Sequence, residues 1–249
     1  MKNLTALDQY RPQQNALLAA LPADELDRLM KDLELVPMAL GQVLYDTGQT
    51  MSHGYFPLDC IVSLLYVMEN GDSAEIAIIG NEGIVGVPLF MGGESTQSRA
   101  LVQNAGHAYR LKSQVLKQGF NAGGSLQQLL LLFASALMTQ MVQTAACNRH
   151  HSVDQQLCRW MLLSLDRLPS NQISMTQKLI GNMLGLSNDN VTLAAGVLQK
   201  AKLIHYDQGQ ITVLDRPGVE KRSCECYGVV KTETDRLLPL SVAAESIAL

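Results

Sequence analysis

Residues 174–204 read SMTQKLIGNMLGLSNDNVTLAAGVLQKAKLI, and this stretch decides the fold. Apolar residues recur at helical spacing in both halves, and Gly185 lies between them. Thr176 and Ser187 each precede one half and belong to residue types that cap helix N-termini. Two short helices joined by a glycine turn form a helix-turn-helix, whose second helix fits the major groove of DNA. An ordinary helical hairpin within a core is the alternative on this evidence alone.

A second local signal follows the hairpin. Residues 204–214 read IHYDQGQITVL, which predicts two short strands around Gln208-Gly209. A helix-turn-helix followed by a two-stranded wing is far more specific for a DNA-binding module than either part alone. A last helix is predicted from Asp215 to about Leu238, and a frayed tail over Ser241–Leu249.

The N-terminal part has a different pattern. Residues 12–35 predict helix, and short β-prone runs separated by turn residues follow from Val36 to about Leu111. Asn70-Gly71 between two such runs is a hairpin signal. The regular spacing predicts a small antiparallel barrel or jelly roll. The runs are residues 42–45, 55–56, 60–67, 74–79 and 100–102.

Residues 125–149 predict a long helix that is apolar nearly all round. Such a helix is not a surface helix of a monomer. We expect the barrel to bury one side and a second copy of the helix the other, since a symmetric pair is the commonest soluble oligomer. Burial entirely within one subunit is the alternative. The candidate dimer-helix residues are Leu126, Leu129, Leu130, Phe133, Leu137 and Met141. A further helix is predicted from about Val153 to near Leu168.

Composition narrows the class of protein. The chain has 249 residues, of which 47% are hydrophobic and 17% charged, so it folds. The N-terminus has no hydrophobic signal core and no apolar run reaches about 18 residues, which predicts a cytoplasmic protein without membrane contact. Five cysteines without paired-motif spacing are expected to be reduced. Residues 171–249 carry eight basic and eight acidic residues, a mild signal against strong nonspecific nucleic-acid binding.

A barrel, a long apolar helix and a C-terminal winged helix-turn-helix together resemble the Crp/Fnr family of bacterial transcription regulators over nearly the whole chain. The specific motifs are Thr176-Gln-x-x-Ile180-x-x-Met-Leu-Gly185, Val191-Thr192, Leu198-x-x-Ala201-x-Leu203-Ile204 and Gly209-x-Ile211-x-Val213-Leu-Asp-Arg-Pro217. Residues 81–93 followed by Ser98-Arg-Ala100 resemble the family's effector loop, the region corresponding to the cyclic-nucleotide phosphate cassette.

The resemblance implies an α+β protein with an N-terminal antiparallel β jelly-roll barrel, a long dimerisation helix and a C-terminal winged helix-turn-helix. The implied domains are an effector-sensing barrel (1–122), a dimerisation helix (123–152) and a DNA-binding domain (153–249). A homodimer would bind a two-fold symmetric operator in double-stranded DNA, with RNA polymerase as a further expected partner. The implied DNA-binding residues are Thr176, Gln177, Ser187, Asn188, Asp189, Asn190, Thr192 and Gln208.

The recognition helix departs from the family pattern. Family members commonly place arginine in its first exposed turn, whereas no lysine or arginine occurs here between Lys178 and Lys200. Arginine binds guanine bidentately, asparagine binds adenine, and aspartate accepts from cytosine. We therefore expect an adenine-containing operator bound with few phosphate ion pairs, or else weak or lost DNA binding.

The effector loop departs too. Its candidate pocket residues are Gly86, Val87, Ser98 and Arg99, but Val87-Pro88 stands where a cyclic-nucleotide pocket needs an acid for the ribose. This argues against high-affinity cyclic AMP binding and leaves open another small-molecule effector, or an ordinary ion pair for Arg99. The sequence does not predict an enzyme, because it has no Ser/His/Asp arrangement, nucleotide-binding glycine loop or paired-carboxylate motif.

No metal site is predicted. Cys224 and Cys226 are expected on a helix, where residues two apart point away from each other, and the adjacent His150 and His151 do not share a face. The alternative to a regulator is a ligand-binding or protein-interaction module with weak or lost DNA binding. The intact turn, wing and caps disfavour that alternative, and the arginine-free recognition helix favours it.

Overall fold

The computed structural model describes residues 9–238. Two short helices, α1 (Ala16–Ala19) and α2 (Ala23–Met30), precede the first strand. The helix predicted up to residue 35 therefore ends early, because β1 (Glu34–Met38) pairs along its whole length with β7 (Gly106–Lys112). The predicted frayed tail, Ser241–Leu249, lies outside the described residues.

Two antiparallel sheets form the barrel. One contains, in spatial order, β2 (Val43–Tyr45), β6 (Ser98–Asn104), β4 (Ile61–Val67) and β5 (Ser73–Ile79). The other contains β1, β7 and β3 (His53–Pro57). All five β-prone runs of the sequence lie in strands, whereas β1 and β7 were not predicted. β1 carries Pro37 and the charged Glu34, and its strand conformation comes from its partner β7.

The central strand β4 is buried on both faces. Phe56, Leu64 and Ile79 are among the side chains that fill the barrel interior. Ile61 and Leu65, on the opposite face of β4, join a second core formed mainly by the C-terminal half of the chain. Burial on both faces explains why this strand is apolar at nearly every position, with Ser63 as a buried polar exception, and does not alternate with polar residues.

The long helix α4 (Gly124–His150) follows α3 (Ser113–Asn121) and spans 27 residues. The boundaries predicted for it, 125 and 149, are within one residue of those in the structure. By length and composition alone α4 would be long and apolar enough to cross a membrane, a property that the core helix of a soluble protein shares. One side of α4 packs into the barrel core, and the last helix of the described chain packs along it.

The C-terminal half is built around α5 (Val153–Leu165), whose residues from Gln156 onward are all buried. α7 (Asn188–Lys200) packs against α5, and α6 (Gln177–Leu184) packs against α7 and against β5 of the barrel. A sheet in the order β8 (Gln172–Ser174), β10 (Gln210–Val213), β9 (Ile204–Asp207) completes this half. The strand β8 was not predicted. The fold class is confirmed: an antiparallel barrel, a long helix and a helix-turn-helix with a wing.

The last predicted helix is wrong in one respect, since it is two helices. α8 (Arg216–Arg222) ends before Ser223, and α9 (Glu225–Leu237) begins after Cys224. Both linking residues have extended backbones, with ψ of 164° at Ser223 and 167° at Cys224. The chain therefore changes direction at Cys224, and α9 runs back along α4.

Candidate DNA-binding site

The two helices of the motif begin at the predicted caps. The Thr176 hydroxyl accepts a hydrogen bond from the Leu179 amide at 3.3 Å, and the Ser187 hydroxyl accepts one from the Asn190 amide at 3.3 Å. Each bond satisfies one of the amides that lack a partner in the first turn of a helix. The Thr176 and Ser187 side chains therefore stabilise the starts of the two helices, and both residues are also exposed.

The turn between the helices depends on two glycines. Gly185 has φ of +66°, a left-handed conformation in which other residues are strained. At Gly181 a Cβ atom would come within 2.8 Å of the Leu186 carbonyl oxygen. The backbone amide of Leu186 donates a hydrogen bond to the Gly181 carbonyl oxygen. Glycine at both positions lets the chain fold back tightly enough to set α7 across α6.

The Thr192 side chain fastens the two helices together. Its hydroxyl lies 2.9 Å from both the Gln177 Oε1 atom and the Asn188 carbonyl oxygen. A hydroxyl carries one proton, so these acceptors share it. Thr192 was predicted to face the DNA groove, and it is exposed. Its hydroxyl also bonds within the motif, so Thr192 and Gln177 help to position α7.

The first turn of α7 is the exposed polar surface that the sequence predicted. Ser187, Asn188, Asp189 and Asn190 are all exposed. Within the described residues, the amide side chains of Asn188 and Asn190 make no hydrogen bond to the protein. Both are therefore available to bind the edge of a base.

Two exposed apolar residues on the same helix were not among the predicted DNA-binding residues. Leu193 is 69% exposed and Val197 is 41% exposed, one turn apart on the outer face of α7. The inner face, which includes Val191, Ala194 and Leu198, is buried in the second core. The signal was present in the sequence, because positions 193 and 197 fall outside the apolar stripe that packs inward.

The wing lies beside the start of α6. Gln208 and Gly209 form its turn, with φ of 47° and 80°, and Gln208 is exposed as predicted. The Tyr206 hydroxyl donates to the Met175 carbonyl oxygen at 2.7 Å, and burial raises the pKa of Tyr206. A groove of about 310 Å³ lies between the wing and the residues Thr176 and Gln177.

The charge on this surface is sparse. Asp189 lies in the first turn of α7, where a carboxylate is favoured by the helix dipole. Lys178 near the start of α6 and Lys200 at the end of α7 are exposed, and the sequence between them holds no further lysine or arginine. Contact with DNA through this face would thus depend more on amides, backbone amides and apolar atoms than on cations.

The candidate effector residues make contacts within the protein. The Arg99 guanidinium forms a bidentate ion pair with Asp46, with N–O distances of 2.9 and 2.8 Å. This pair lowers the pKa of Asp46 and raises that of Arg99. Ser98 is buried and lies 3.1 Å from the Thr96 hydroxyl, while Gly86 and Val87 begin a short 3-10 helix, Val87–Leu89. Of the two alternatives left open for Arg99, the geometry favours the ordinary ion pair.

The candidate dimer-helix residues lie on the inner side of α4. Leu126, Leu129, Leu130, Phe133 and Leu137 are buried in the barrel core of their own chain, and Met141 packs against it. They are therefore not on the exposed side of α4. That side carries the exposed side chains Leu131, Met138 and Val142. Periodicity identified the helix, but a helix that is apolar all round does not reveal which side faces its own barrel.

A cluster of three cysteines and one histidine contradicts the expectation that Cys224 and Cys226 point away from each other. Cys147, His151, Cys224 and Cys226 bring one ligand atom each to within 4.8 Å of one another. Cys224 and Cys226 were expected to diverge on a helix. They converge because Cys224 precedes α9 with an extended backbone, and only Cys226 lies in its first turn.

Comparison with known proteins places this geometry among known folds. Residues 155–222 match the Crp-like helix-turn-helix domain family. No curated protein matches the chain as a relative. Among solved structures, FixK2 from Bradyrhizobium japonicum aligns with a TM-score of 0.65 at 14% identity, over 77% of this chain and 98% of that one.

Two further structures have the same architecture. A CRP-family transcriptional regulator from Thermus thermophilus has a TM-score of 0.64 at 13% identity, covering 76% of this chain and 96% of its own. The c-di-GMP responsive global regulator CLP of Xanthomonas campestris has a TM-score of 0.61 at 14% identity, covering 77% and 99%. The chain therefore has the fold of a Crp/Fnr-type transcription regulator, with a Crp-like helix-turn-helix domain at residues 155–222.

Proposed function

We propose that this protein is a transcription regulator that binds a two-fold symmetric operator as a homodimer in the cytoplasm and has no catalytic role. The observation that carries the proposal is the first turn of α7. Its helix is capped by Ser187, its orientation is fixed by Thr192, and the side chains of Asn188 and Asn190 are exposed without a partner in the described protein. A rigid helix with free amides at its start is what base recognition in the major groove requires.

The residue types favour an A·T-containing half-site. Asparagine pairs bidentately with the N6 and N7 atoms of adenine, and an apolar side chain contacts the thymine methyl group. Asn188, Asn190 and the exposed Leu193 lie within two turns of one helix, so one A·T-rich segment would satisfy all three. The Asp189 carboxylate would either accept a hydrogen bond from the amino group of cytosine or only stabilise the start of α7 through the helix dipole.

Backbone contacts would come from the edges of the motif. Thr176 and Gln177 lie at the start of α6, where free amides favour a phosphate, and Gln208 lies across the groove on the wing. The Gln177 side-chain oxygen Oε1 accepts from the Thr192 hydroxyl, so the side-chain nitrogen Nε2 remains the group to donate to a phosphate. These contacts would fix the register of α7 without specifying sequence.

The dimer interface would be the outer face of α4. Leu131, Met138 and Val142 are exposed, and together with Ser135 and Ala145 they alternate at spacings of four and three residues. This is the spacing of a coiled-coil seam, in which two helices bury the shared stripe. A symmetric pair through this seam would place two copies of α7 for the two halves of an operator.

The barrel would be the sensor. We assign sensing to residues 1–122, dimerisation to 123–152 and DNA binding to 153–249, with RNA polymerase as the partner on bound DNA. CLP, which shares the fold, responds to c-di-GMP. For this chain the effector is unidentified, and the Arg99–Asp46 pair argues against cyclic AMP, because the guanidinium that would bind its phosphate is already neutralised.

Capture of bound genomic DNA tests the proposal. Wild-type protein is expected to enrich a palindromic, A·T-containing site, and the double substitution Asn188→Ala, Asn190→Ala should abolish that enrichment. Alanine keeps the Ser187 cap and has a higher helix propensity than asparagine, so the variant should fold as well as the wild type. Asn121→Ala, at an exposed asparagine that ends α3, is the matched control and should enrich the same site.

Failure to enrich any palindrome would overturn the regulator proposal. Enrichment that survives the double substitution would leave DNA binding in place but remove Asn188 and Asn190 as its specificity residues. Circular dichroism of each variant distinguishes lost contacts from lost helix.

A second candidate function rests on the exposed Leu193 and Val197. An apolar pair one turn apart on a helix without cations also suits docking against an apolar groove of another protein. In that case the winged domain would be an interaction module with weak or lost DNA binding. Leu193→Ala would then abolish capture of a protein partner, and no operator would be enriched by the wild type.

A further inference from the structure

The four-residue cluster at the end of α4 has the composition and shape of a metal site. Cys147 and His151 lie one turn apart at the end of α4, and Cys224 and Cys226 lie at the start of α9. Cys147, Cys224 and Cys226 are at most 6% exposed, and they form an apolar cluster separate from the two main cores. Three thiols and one imidazole form one of the sets that bind structural Zn²⁺.

Two of the six distances between ligand atoms already match tetrahedral coordination. A Zn–S bond of about 2.3 Å and a Zn–N bond of about 2.0 Å place neighbouring ligand atoms about 3.5–3.8 Å apart in a tetrahedron. The Cys147 and Cys224 sulfurs are 3.5 Å apart, and the Cys226 sulfur lies 3.6 Å from Nδ1 of His151. The four ligand atoms all lie within 4.8 Å of one another.

The outer surroundings of the cluster also suit a metal. The Nε2 atom of His151, which faces away from the sulfurs, lies 3.3 Å from a carboxylate oxygen of Glu225. Histidine ligands of metals usually donate their second ring N–H to such a group, which fixes the tautomer and the orientation of the ring. Nδ1 is thereby left as the ligand atom directed at the cysteines.

A buried cation near the cluster makes no ion pair in the described part of the chain, although it lies close enough to the buried Glu75 to lower the pKa of that carboxyl. Arg159 on α5 is 3% exposed, and its Nη1 donates to the Thr144 hydroxyl, one turn before Cys147 on α4. Within the described residues no carboxylate lies within salt-bridge distance of Arg159, and its Nε atom has no partner. Zn²⁺ with three thiolates and a neutral imidazole carries one net negative charge, which would compensate a buried guanidinium.

We propose that Cys147, His151, Cys224 and Cys226 bind a thiophilic divalent cation, Zn²⁺ in the first place, between the end of the long helix and the start of the last one. The site would join segments that are 73 or more residues apart in sequence, and it adjoins the point at which α4 ends and α5 begins. Bound metal would hold α9 against α4 and fix the angle of that junction. The proposal does not depend on DNA binding.

Metal analysis of the full-length protein tests the site. After incubation with Zn²⁺ and dialysis, elemental analysis should find about one zinc per chain, the stoichiometry of a four-ligand site. Cys224→Ser and His151→Ala should weaken zinc affinity by more than about a hundredfold, since even an outer-sphere change costs ten- to a hundredfold. His150→Ala and Cys158→Ala are the matched controls, a neighbouring histidine and a buried cysteine outside the cluster, and should retain the metal.

A second measurement does not depend on the variants folding. Co²⁺ added to the native protein should give the intense visible bands of a tetrahedral thiolate site, and Zn²⁺ should protect three of the five cysteines from alkylation. Absence of stoichiometric metal in the native protein, or equal metal in His151→Ala and His150→Ala, would overturn the proposal. A Cys147–Cys224 disulfide in freshly purified protein that excludes zinc would overturn it in favour of a redox pair.

Discussion

The guanidinium of Arg167 lies 2.7 Å from a carboxylate oxygen of Glu82, and each side chain is only 6% exposed. Arg167 follows α5, whereas Glu82 lies in the loop after β5, so the pair joins the C-terminal half to the barrel. Both ions have further partners: Arg167 donates to the Leu163 carbonyl and Glu82 accepts from the Gly80 amide. A buried pair with its remaining groups satisfied fixes one relative placement of the two halves.

Arg167→Ala is expected to lower the free energy of unfolding by about 3–5 kcal/mol, because it leaves the Glu82 carboxylate buried without a counterion. Urea unfolding measures the change. Arg28→Ala removes an ion pair with Asp24 in which both side chains are more than two-thirds exposed, and it should cost less than about 1 kcal/mol. If both variants lowered the free energy of unfolding by the same amount, burial would not make the Arg167–Glu82 pair more important for stability than an exposed pair.

Glu75 should make stability depend on pH. Burial raises the pKa of its carboxyl to about 7, against the opposing effects of the Ser63 hydroxyl and of the Arg159 and Arg167 guanidinium groups. The Ser63 oxygen lies 2.7 Å from both Glu75 Oε2 and Gln103 Oε1. One hydroxyl proton cannot be donated fully to two acceptors. If Glu75 is protonated, its carboxyl donates to the Ser63 oxygen, and the Ser63 hydroxyl donates to Gln103 Oε1.

The sign follows from the raised pKa. The folded-state pKa lies above the unfolded value of about 4.3, so the contribution of Glu75 to stability is complete below that value and is lost as pH rises through about 7. Glu75→Gln, which is neutral at every pH, should therefore gain stability over the wild type by on the order of 2 kcal/mol between about pH 5 and pH 8. Thermal unfolding across that range measures the difference, and a difference that does not change with pH would contradict a protonated Glu75.

The outer face of α4 should decide the oligomeric state. Met138→Glu combined with Val142→Glu places charges in the proposed seam and should convert a dimer into a monomer in sedimentation velocity. Met91→Glu is the matched control, because Met91 and Met138 are both 56% exposed but Met91 lies in the barrel. A dimer that survives the double substitution would remove this seam as the interface.

The salt dependence of operator binding should be shallow. Lys178 and Lys200 flank a recognition surface without other lysine or arginine in the intervening sequence. With about two phosphate contacts from each module, the slope of log affinity against log salt for a dimer should be about −4. Fluorescence anisotropy on the enriched operator measures it. A slope near −10 would mean that many more cations reach the phosphates than this surface presents.

Local interactions made much of the fold readable in the sequence. Thr176 and Ser187 cap the helices where predicted, Gly185 supplies the left-handed turn, and the wing turns at Gln208-Gly209. Each of these features is set by residues within four positions along the chain, as are helix periodicity and turn preference. The sequence by itself therefore determined the helix-turn-helix, its wing, the long helix and most strands of the barrel.

Long-range pairing decided the rest. Arg99 meets Asp46 from 53 residues away, Cys147 meets Cys224 from 77 residues away, and Glu34–Met38 becomes a strand because Gly106–Lys112 lies beside it. The inner and outer faces of α4 were likewise settled by the barrel that covers one of them. Contacts of this kind depend on topology, since an isolated segment carries no information about which distant segment will lie against it.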